Sequence, residues 1–432
     1  MSILRSLNIG VSGLRSNSEA LSVTGDNIAN VNTVGFKRSR GIFQDVLGRS
    51  VATFENIKGA GAGSRLAHVE QVWTQGALVT TDSPTDLAIQ GEGFFVVEGN
   101  LAGAEARYYT RAGQFHVDNE GRIVNSENMR LQGYTADAQG VMGSAIGDLI
   151  VNQGTVPASP TENIRMAINL NANEDVPPLP FDITDPSGTS NFSNNVTVYD
   201  SLGNGHELTI FYAKTGVNTW DWHAVVDGGE LTGGAAGTPT EGASGTLTFL
   251  PDGSLDTETT AANTWDFINA NPAQPIAFDF GTSITTDGGT GFDGSTQFAS
   301  PEATVALYQD GYAAGSIAGI SIGQDGTVIG IFSNGQERAL GQIVTADFAN
   351  VNGLERAGEG LYIQTLASGE ALTGPADTAG RGAIVSGALE QANVDLGTEF
   401  VNLITYQRGF QANSRVITTA DEMYGELVNI KR

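Results

Sequence analysis

Apolar residues fall on an alternating three- and four-residue spacing at the two extremes of this chain, and that pattern constrains the fold more than any other feature. At the amino end the frame holds Leu4, Leu7, Val11, Leu14, Leu21 and Ile28, with Ser18 and Gly25 in its remaining positions. At the carboxyl end it holds Leu396, Phe400, Leu403, Gln407, Phe410, Ser414, Ile417, Asp421, Tyr424 and Val428. This spacing lays one apolar seam along a helix, so each end is predicted to be a heptad helix. Thirty residues at 1.5 Å each give a length of about 45 Å. Both seams are flawed, because Ser18, Gly25, Gln407, Ser414 and Asp421 stand where a stable coiled coil places Leu or Ile. Gly10 and Gly13 lower helix propensity further. Such helices are marginal alone. They either pack on an ordinary core or pair with each other and with neighbouring subunits, ordering on assembly.

Between the ends the signals are strand and turn. Glycine takes 57 of 432 positions without a collagen period, which marks a turn-rich, mainly β chain. Asp325-Gly326 and Asn334-Gly335 sit between apolar stretches and predict hairpins with primed turns. Pro251-Asp252-Gly253, the segment around Asp200 to Gly205 and the segment Asp118 to Gly121 carry similar turn signals. Residues 230–246 read as a flexible surface loop by composition.

The charge is strongly negative, −27, and unevenly spread. Residues 152–302 hold two basic groups, Arg165 and Lys214, against nineteen acidic ones, whereas residues 1–50 hold six basic and three acidic groups. The acidic segment reads as a separate, solvent-facing domain. The overall charge argues against binding nucleic acid or anionic membrane. No apolar run reaches the ~18 residues of a membrane span, and no signal-peptide core is expected in the broken start of the sequence. Cysteine is absent, which removes disulfides, thiolate metal sites and a Cys nucleophile.

No motif points to catalysis, a cofactor or a metal. Gly59 to Arg65 resembles a phosphate loop only superficially, lacking the Lys-Ser/Thr ending, and reads as a flexible connector. Gly288 to Asp293 matches part of a calcium-binding repeat, but a single copy reads as a Gly/Asp turn. His68, His116, His206 and His223 are isolated, with no spacing that brings two to one site.

The segment that stands out is Gly25 to Lys37, where Asn27, Asn30, Asn32, Gly35 and Phe36 follow the first seam. Asn and Gly tolerate left-handed backbone, and Asn side chains bond nearby backbone groups, so a helix cap and turn are expected. The density of Asn suggests a polar elbow that keeps its hydrogen bonds in several subunit environments.

SGLRSNSEALSVTGDNIANVNTVGFKRSR resembles the amino-terminal signature of the bacterial flagellar rod/hook axial protein family. DLAIQGEGFFVVEG with YTRAGQFHVDNEGRIVNSENMRLQGY resembles a core block of that family, and the stretch from Ser386 to Arg432 resembles its carboxy-terminal signature. NVTVYDSLGNGHELTIFYAK is similar to the outer-domain motif of the hook branch, with the shorter distal rod proteins as the alternative. The Gln391-Ala392 pair, where many relatives have Ser before Asn393, is expected to be without consequence.

The resemblance implies a multi-domain, mainly β fold with discontinuous domains. Residues 1–30 plus 388–432 would form a coiled-coil-like inner helical domain whose seams carry assembly. Residues 31–72 plus 383–387 would be a linker region, 73–151 plus 303–382 a β-rich core domain, and 152–302 an inserted acidic outer domain. It also implies a non-enzymatic structural subunit, without cofactor, that polymerises into a flexible tubular hook outside the cell and is exported without a cleaved signal. Its implied partners are further copies of itself, the distal rod, the hook cap, the hook–filament junction proteins and the flagellar export apparatus, with no membrane insertion.

Overall fold

A computed structural model describes residues 3–47, 61–101, 103–137, 139–151 and 155–430. The chain divides into two compact units. One comprises Met1–Gln153, Gly319–Ile331 and Glu337–Arg432; the other comprises Gly154–Ala318 and Phe332–Gln336.

The first unit begins and ends with the two long helices, α1 (Ile3–Ala29) and α2 (Leu396–Ile430). After α1, strands Ser39–Leu47 and Gly61–Gln71 pair antiparallel. Of the expected connector Gly59 to Arg65, residues 61–65 are therefore strand, and residues 59 and 60 lie outside the described residues; glycine lets that strand approach α1, and a Cβ at Gly63 would overlap the Ser12 hydroxyl. The body of this unit is an antiparallel sheet in which Glu337–Asp347, Arg130–Ala136, Phe94–Leu101, Ala104–Thr110 and Leu361–Ile363 are neighbours. Its core packs Phe94, Val96, Tyr109, Val344, Phe348 and Tyr362. Phe348 meets Phe94 and Tyr109 edge-on at 5.8 and 4.8 Å, the arrangement that aromatic quadrupoles favour. Ala383–Ser386 pairs with Leu87–Gln90, and Ala388–Glu390 with Leu78–Thr80. Residues 383–386, within the expected linker region, are thus paired strand.

The second unit holds the acidic segment. Its six-stranded antiparallel sheet runs Phe192–Tyr199, Gly205–Gly216, Thr219–Asp227, Pro239–Phe249, Leu255–Trp265 and Gln274–Pro275 in that order. A three-stranded sheet places Asn163–Asn169 between Ala277–Asp279 and Ala303–Gln309. Period-two alternation sends Leu208, Ile210 and Tyr212, and Trp220, Trp222 and Ala224, into the core. Residues 239–246, expected to be loop, belong to a strand, because Ala243 and Leu247 are buried in that same core. The unit's two bases are both engaged: Arg165 pairs with Asp279 at 2.9 Å, and buried Lys214 donates to the Ala172 and Glu174 carbonyls.

One turn design recurs through both units. Residue 1 donates to the carbonyl of residue 5, residue 4 donates back to residue 1, and only residue 4 has positive φ. Asp118–Arg122, Asp200–Asn204, Gly323–Thr327 and Phe332–Gln336 all follow it. An Asp or Asn side chain holds each turn, as when Asp200 Oδ1 accepts from Leu202 and Asn204. The expected primed turns at 325–326 and 334–335 are therefore type I turns with a glycine bulge. Gly326 and Gly335 have φ of 84° and 77°, while Asp325 and Asn334 stay at negative φ and spend their side chains on the turn.

Candidate functional site

Charge, motif and residue patterning direct attention to the two helices and the elbow beside them. Asn27 is buried and bonds Ser39 twice: its Nδ2 donates to the Ser39 carbonyl at 2.8 Å, and the Ser39 N–H donates to its Oδ1 at 2.7 Å. This closes the elbow as a backbone pair would. Asn30 Nδ2 donates to the Asp26 carbonyl, and its Oδ1 accepts from the Thr33 hydroxyl, capping the end of α1. Asn32 is exposed. Gly35 has φ 70°, and a Cβ there would lie 2.5 Å from the Ala112 nitrogen, so no other residue fits without backbone movement. Phe36 is buried, with the Arg356 guanidinium 5.4 Å above its ring.

Beyond the elbow lies a buried ionic cluster that single-sequence reading did not find. Lys37 Nζ donates to Glu390 Oε1 at 2.6 Å and to the Thr74 carbonyl at 3.0 Å, and the Gly76 N–H reaches the same carboxylate oxygen at 2.8 Å. Arg111 approaches the second oxygen at 3.4 Å. Both Lys37 and Glu390 are 1 % exposed. Burial pushes the Lys37 ammonium below its usual range, and Glu390 opposes that shift without cancelling it. Nearby, Asn393 accepts from the Arg38 N–H and donates to the Val72 and Thr74 carbonyls. Lys37 stood inside the elbow motif, but nothing local in the sequence pairs it with a residue 353 positions away.

α1 and α2 lie against each other through small residues. A Cβ at Gly13 would sit 2.6 Å from Asn413 Oδ1, and a Cβ at Gly409 would sit 2.6 Å from Asn17 Oδ1. Each Asn also donates to the glycine carbonyl of its own helix, Asn17 to Gly13 at 2.7 Å and Asn413 to Gly409 at 2.9 Å. The same Gly and Asn, four residues apart, thus face each other in reciprocal, antiparallel fashion. Gly10 meets Ile417 beside this pair. The buried face of α1 is Gly10, Gly13, Ser16, Ala20, Thr24 and Asn27, a stripe of small and polar residues rather than the apolar frame.

The apolar frame flanks that stripe. Leu7, Leu14, Leu21 and Ile28 are half-buried, and Val11 is exposed. On α2, Leu403 and Ile417 are half-buried, whereas Leu396, Phe400, Phe410 and Tyr424 are exposed. The side chains of Leu4 and Val428 lie outside the described residues. Ser18, Gly25, Gln407, Ser414 and Asp421 all face solvent, so within one chain they interrupt no buried seam. Asp395 caps α2 by accepting from the Thr398 N–H at 2.6 Å, and bonds from Thr398 hold its carboxyl below the usual range.

Among the described residues no group of His, Asp and Glu is arranged to hold a metal, and no helix is long and apolar enough to cross a membrane.

Comparison with known families covers most of the chain. Residues 7–37 match the flagella basal body rod protein model, and residues 88–174 match the flagellar hook protein FlgE/F/G D1 domain. Residues 169–312 match the flagellar basal body protein FlaE D2 domain, and 385–430 the flagellar basal body rod FlgEFG protein C-terminal. The flagellar hook protein FlgE of Borreliella burgdorferi is 36 % identical, with 99 % of this chain and 100 % of that protein aligned. Those of Treponema pallidum and Salmonella typhimurium are also 36 % identical, covering 100 % and 99 % of this chain and 100 % of each relative. The crystal structure of Helicobacter pylori flagellar hook protein FlgE2 aligns with a TM-score of 0.49 at 14 % identity, covering 72 % of this chain and 99 % of that one. These relatives carry hook names and no enzyme name, and their full-length match does not favour the distal rod alternative. On that full-length identity, the chain belongs to the flagellar hook protein FlgE family.

Proposed function

We propose that many copies of this hook-family chain assemble head to tail into a tubular hook that bends while transmitting torque from rod to filament. Heterologous contacts are required, since an isologous dimer would terminate growth. In this reading residues 1–30 and 388–432 pair as a coiled-coil-like inner layer lining a channel, and the acidic segment 152–302 faces water. The chain is exported without a cleaved signal, acts without catalysis, and meets the distal rod, hook cap and hook–filament junction proteins at its ends.

The observation that carries this reading is the uncovered apolar surface of α2. Leu396, Phe400 and Ile404 lie four residues apart on one helical face and are all exposed, Phe400 to 50 %. Fully burying a Leu or Phe is worth about 1.5–3 kcal/mol, so covering such half-exposed side chains contributes about 1 kcal/mol each. Three of them supply about 3 kcal/mol, roughly a hundredfold in affinity. Repeated in every copy, that is enough to favour a polymer yet weak enough to let contacts shift.

Electron microscopy of the purified chain, and of a version lacking residues 1–30 and 388–432, tests the reading. The full chain is expected to form tubes and the trimmed one to remain monomeric. Full-length protein that never forms tubes and behaves like the trimmed version would refute it.

A further inference from the structure

Among the described residues, every hydrogen bond that reaches residues 33–38 from beyond residue 76 comes from Glu390 or Asn393. The Gly35 N–H donates to the Glu390 carbonyl at 2.7 Å, Lys37 Nζ to its carboxylate, the Arg38 N–H to Asn393 Oδ1, and the Asn393 N–H to the Phe36 carbonyl at 3.4 Å. These bonds are buried or half-buried. The other polar attachments of this region are longer or more exposed: Arg38 approaches buried Glu399 at 3.6 Å with its own side chain 31 % accessible, and Arg356, which also lies over the Phe36 ring, meets Asp26 at 3.5 Å with both side chains more than 40 % accessible. Surface pairs of that kind are screened and weak, whereas a buried ionic group that loses its partner is strongly destabilising.

We infer that Glu390 and Asn393 are positioning residues for the amino-terminal helix, so that α1 is set against the body of its unit only once residues 388–393 have docked. The strand Ala388–Glu390 must first pair with Leu78–Thr80, which aims the Glu390 side chain inward at Lys37 and the Gly76 N–H. Before that step Lys37 has no carboxylate, and the sheet pairings of Phe94–Leu101 with Ala104–Thr110 and Arg130–Ala136 do not involve the elbow. The helix nearest the start of the sequence therefore waits on a segment more than 350 residues later. Because α1 and α2 carry the proposed assembly surface, the arrangement keeps that surface unformed in a chain whose carboxyl segment is not yet in place; this consequence, though not the coupling itself, rests on the hook reading.

Hydrogen exchange on the full-length monomer, resolved by segment, tests the coupling without requiring polymer. Glu390→Gln removes the charge but keeps an acceptor, and Asn393→Ala breaks the second anchor without stranding a buried ion. Both are expected to raise exchange at residues 27–39 at least tenfold while residues 94–101 and 130–136 stay protected. Arg356→Ala, which removes the exposed pair with Asp26 and the guanidinium over the Phe36 ring but no buried hydrogen bond, is expected to raise exchange at the elbow less than either of those variants. Wild-type elbow protection in both Glu390→Gln and Asn393→Ala would overturn the inference. So would an equal loss of protection in the sheet, which would make the two residues general supports of the fold. Tube formation scored on the same samples separates this outcome from the hook reading, because the exchange result stands whether or not tubes form.

Discussion

Gly13→Ala sets two physical effects of similar size against each other at the α1–α2 contact. Replacing a helical glycine with alanine removes backbone freedom from the unfolded chain and stabilises a helix by about 1 kcal/mol. Against this, the new methyl would lie 2.6–2.7 Å from the Oδ1, Cγ and Nδ2 atoms of Asn413. Asn413 cannot swing away freely, because its Nδ2 is bonded to the Gly409 carbonyl at 2.9 Å. Displacing it loses a hydrogen bond of about 1 kcal/mol and overpacks the interface by about 1–3 kcal/mol. The net expectation is a loss of about 1–3 kcal/mol in helix pairing. Combining Gly13→Ala with Asn413→Ala removes the obstruction and is expected to recover most of the loss, giving a coupling of about 1–3 kcal/mol in a double-mutant cycle. Thermal or urea unfolding of the monomer followed by helical circular dichroism measures all four corners. If Gly13→Ala stabilises by about 1 kcal/mol whatever occupies position 413, propensity governs and the reciprocal glycine–asparagine contact has no energetic role.

Phe410→Asp places a charge in the proposed intersubunit surface and is expected to abolish tube formation in electron micrographs while the calorimetric transitions of the two units persist. Gly35→Ala forces a residue with φ 70° against the Arg111–Ala112 backbone, and is expected to destabilise the first unit by about 1–3 kcal/mol in urea unfolding. Burial, with Asp279 and Asp287 nearby, pushes the Glu258 carboxyl up to about 7 from an ordinary 4.5, outweighing the bond it accepts from the Phe280 N–H. A raised folded-state pKa means stability is fullest below the unfolded value, so the melting temperature of the second unit should fall between pH 4.5 and about 7, and Glu258→Gln should flatten that slope. Asp395 shifts the opposite way: the cap it supplies is present while it is ionised and is lost in acid, so fraying at the start of α2, read by exchange at residues 396–400, should rise as pH drops below about 4.

What could be read without the fold depended on how far apart the cooperating residues lie. The two helices and the hairpins are written in periods and turn residues spanning fewer than ten positions, and the elbow asparagines bond groups within about a dozen residues of themselves. Asp325-Gly326 and Asn334-Gly335 form type I turns with a bulge where the sequence predicts primed turns, because the dipeptide alone does not distinguish the two; the flanking register does. Residues 61–65 and 239–246 looked like loops because small residues carry no strand signal. They become strand when a partner strand supplies the ladder bonds.

By itself the sequence determined helical ends, a turn-rich β middle, an acidic segment with almost no bases, and the family signatures that led to the hook proteins. Each of these is a local or compositional property, fixed by covalent order. Only the tertiary structure decided that α1 meets α2 through glycine and asparagine rather than through its leucines, and that Glu390 closes around Lys37. Those contacts join residues hundreds of positions apart, where no periodicity extends and where shape complementarity and the desolvation of a buried charge choose the partner.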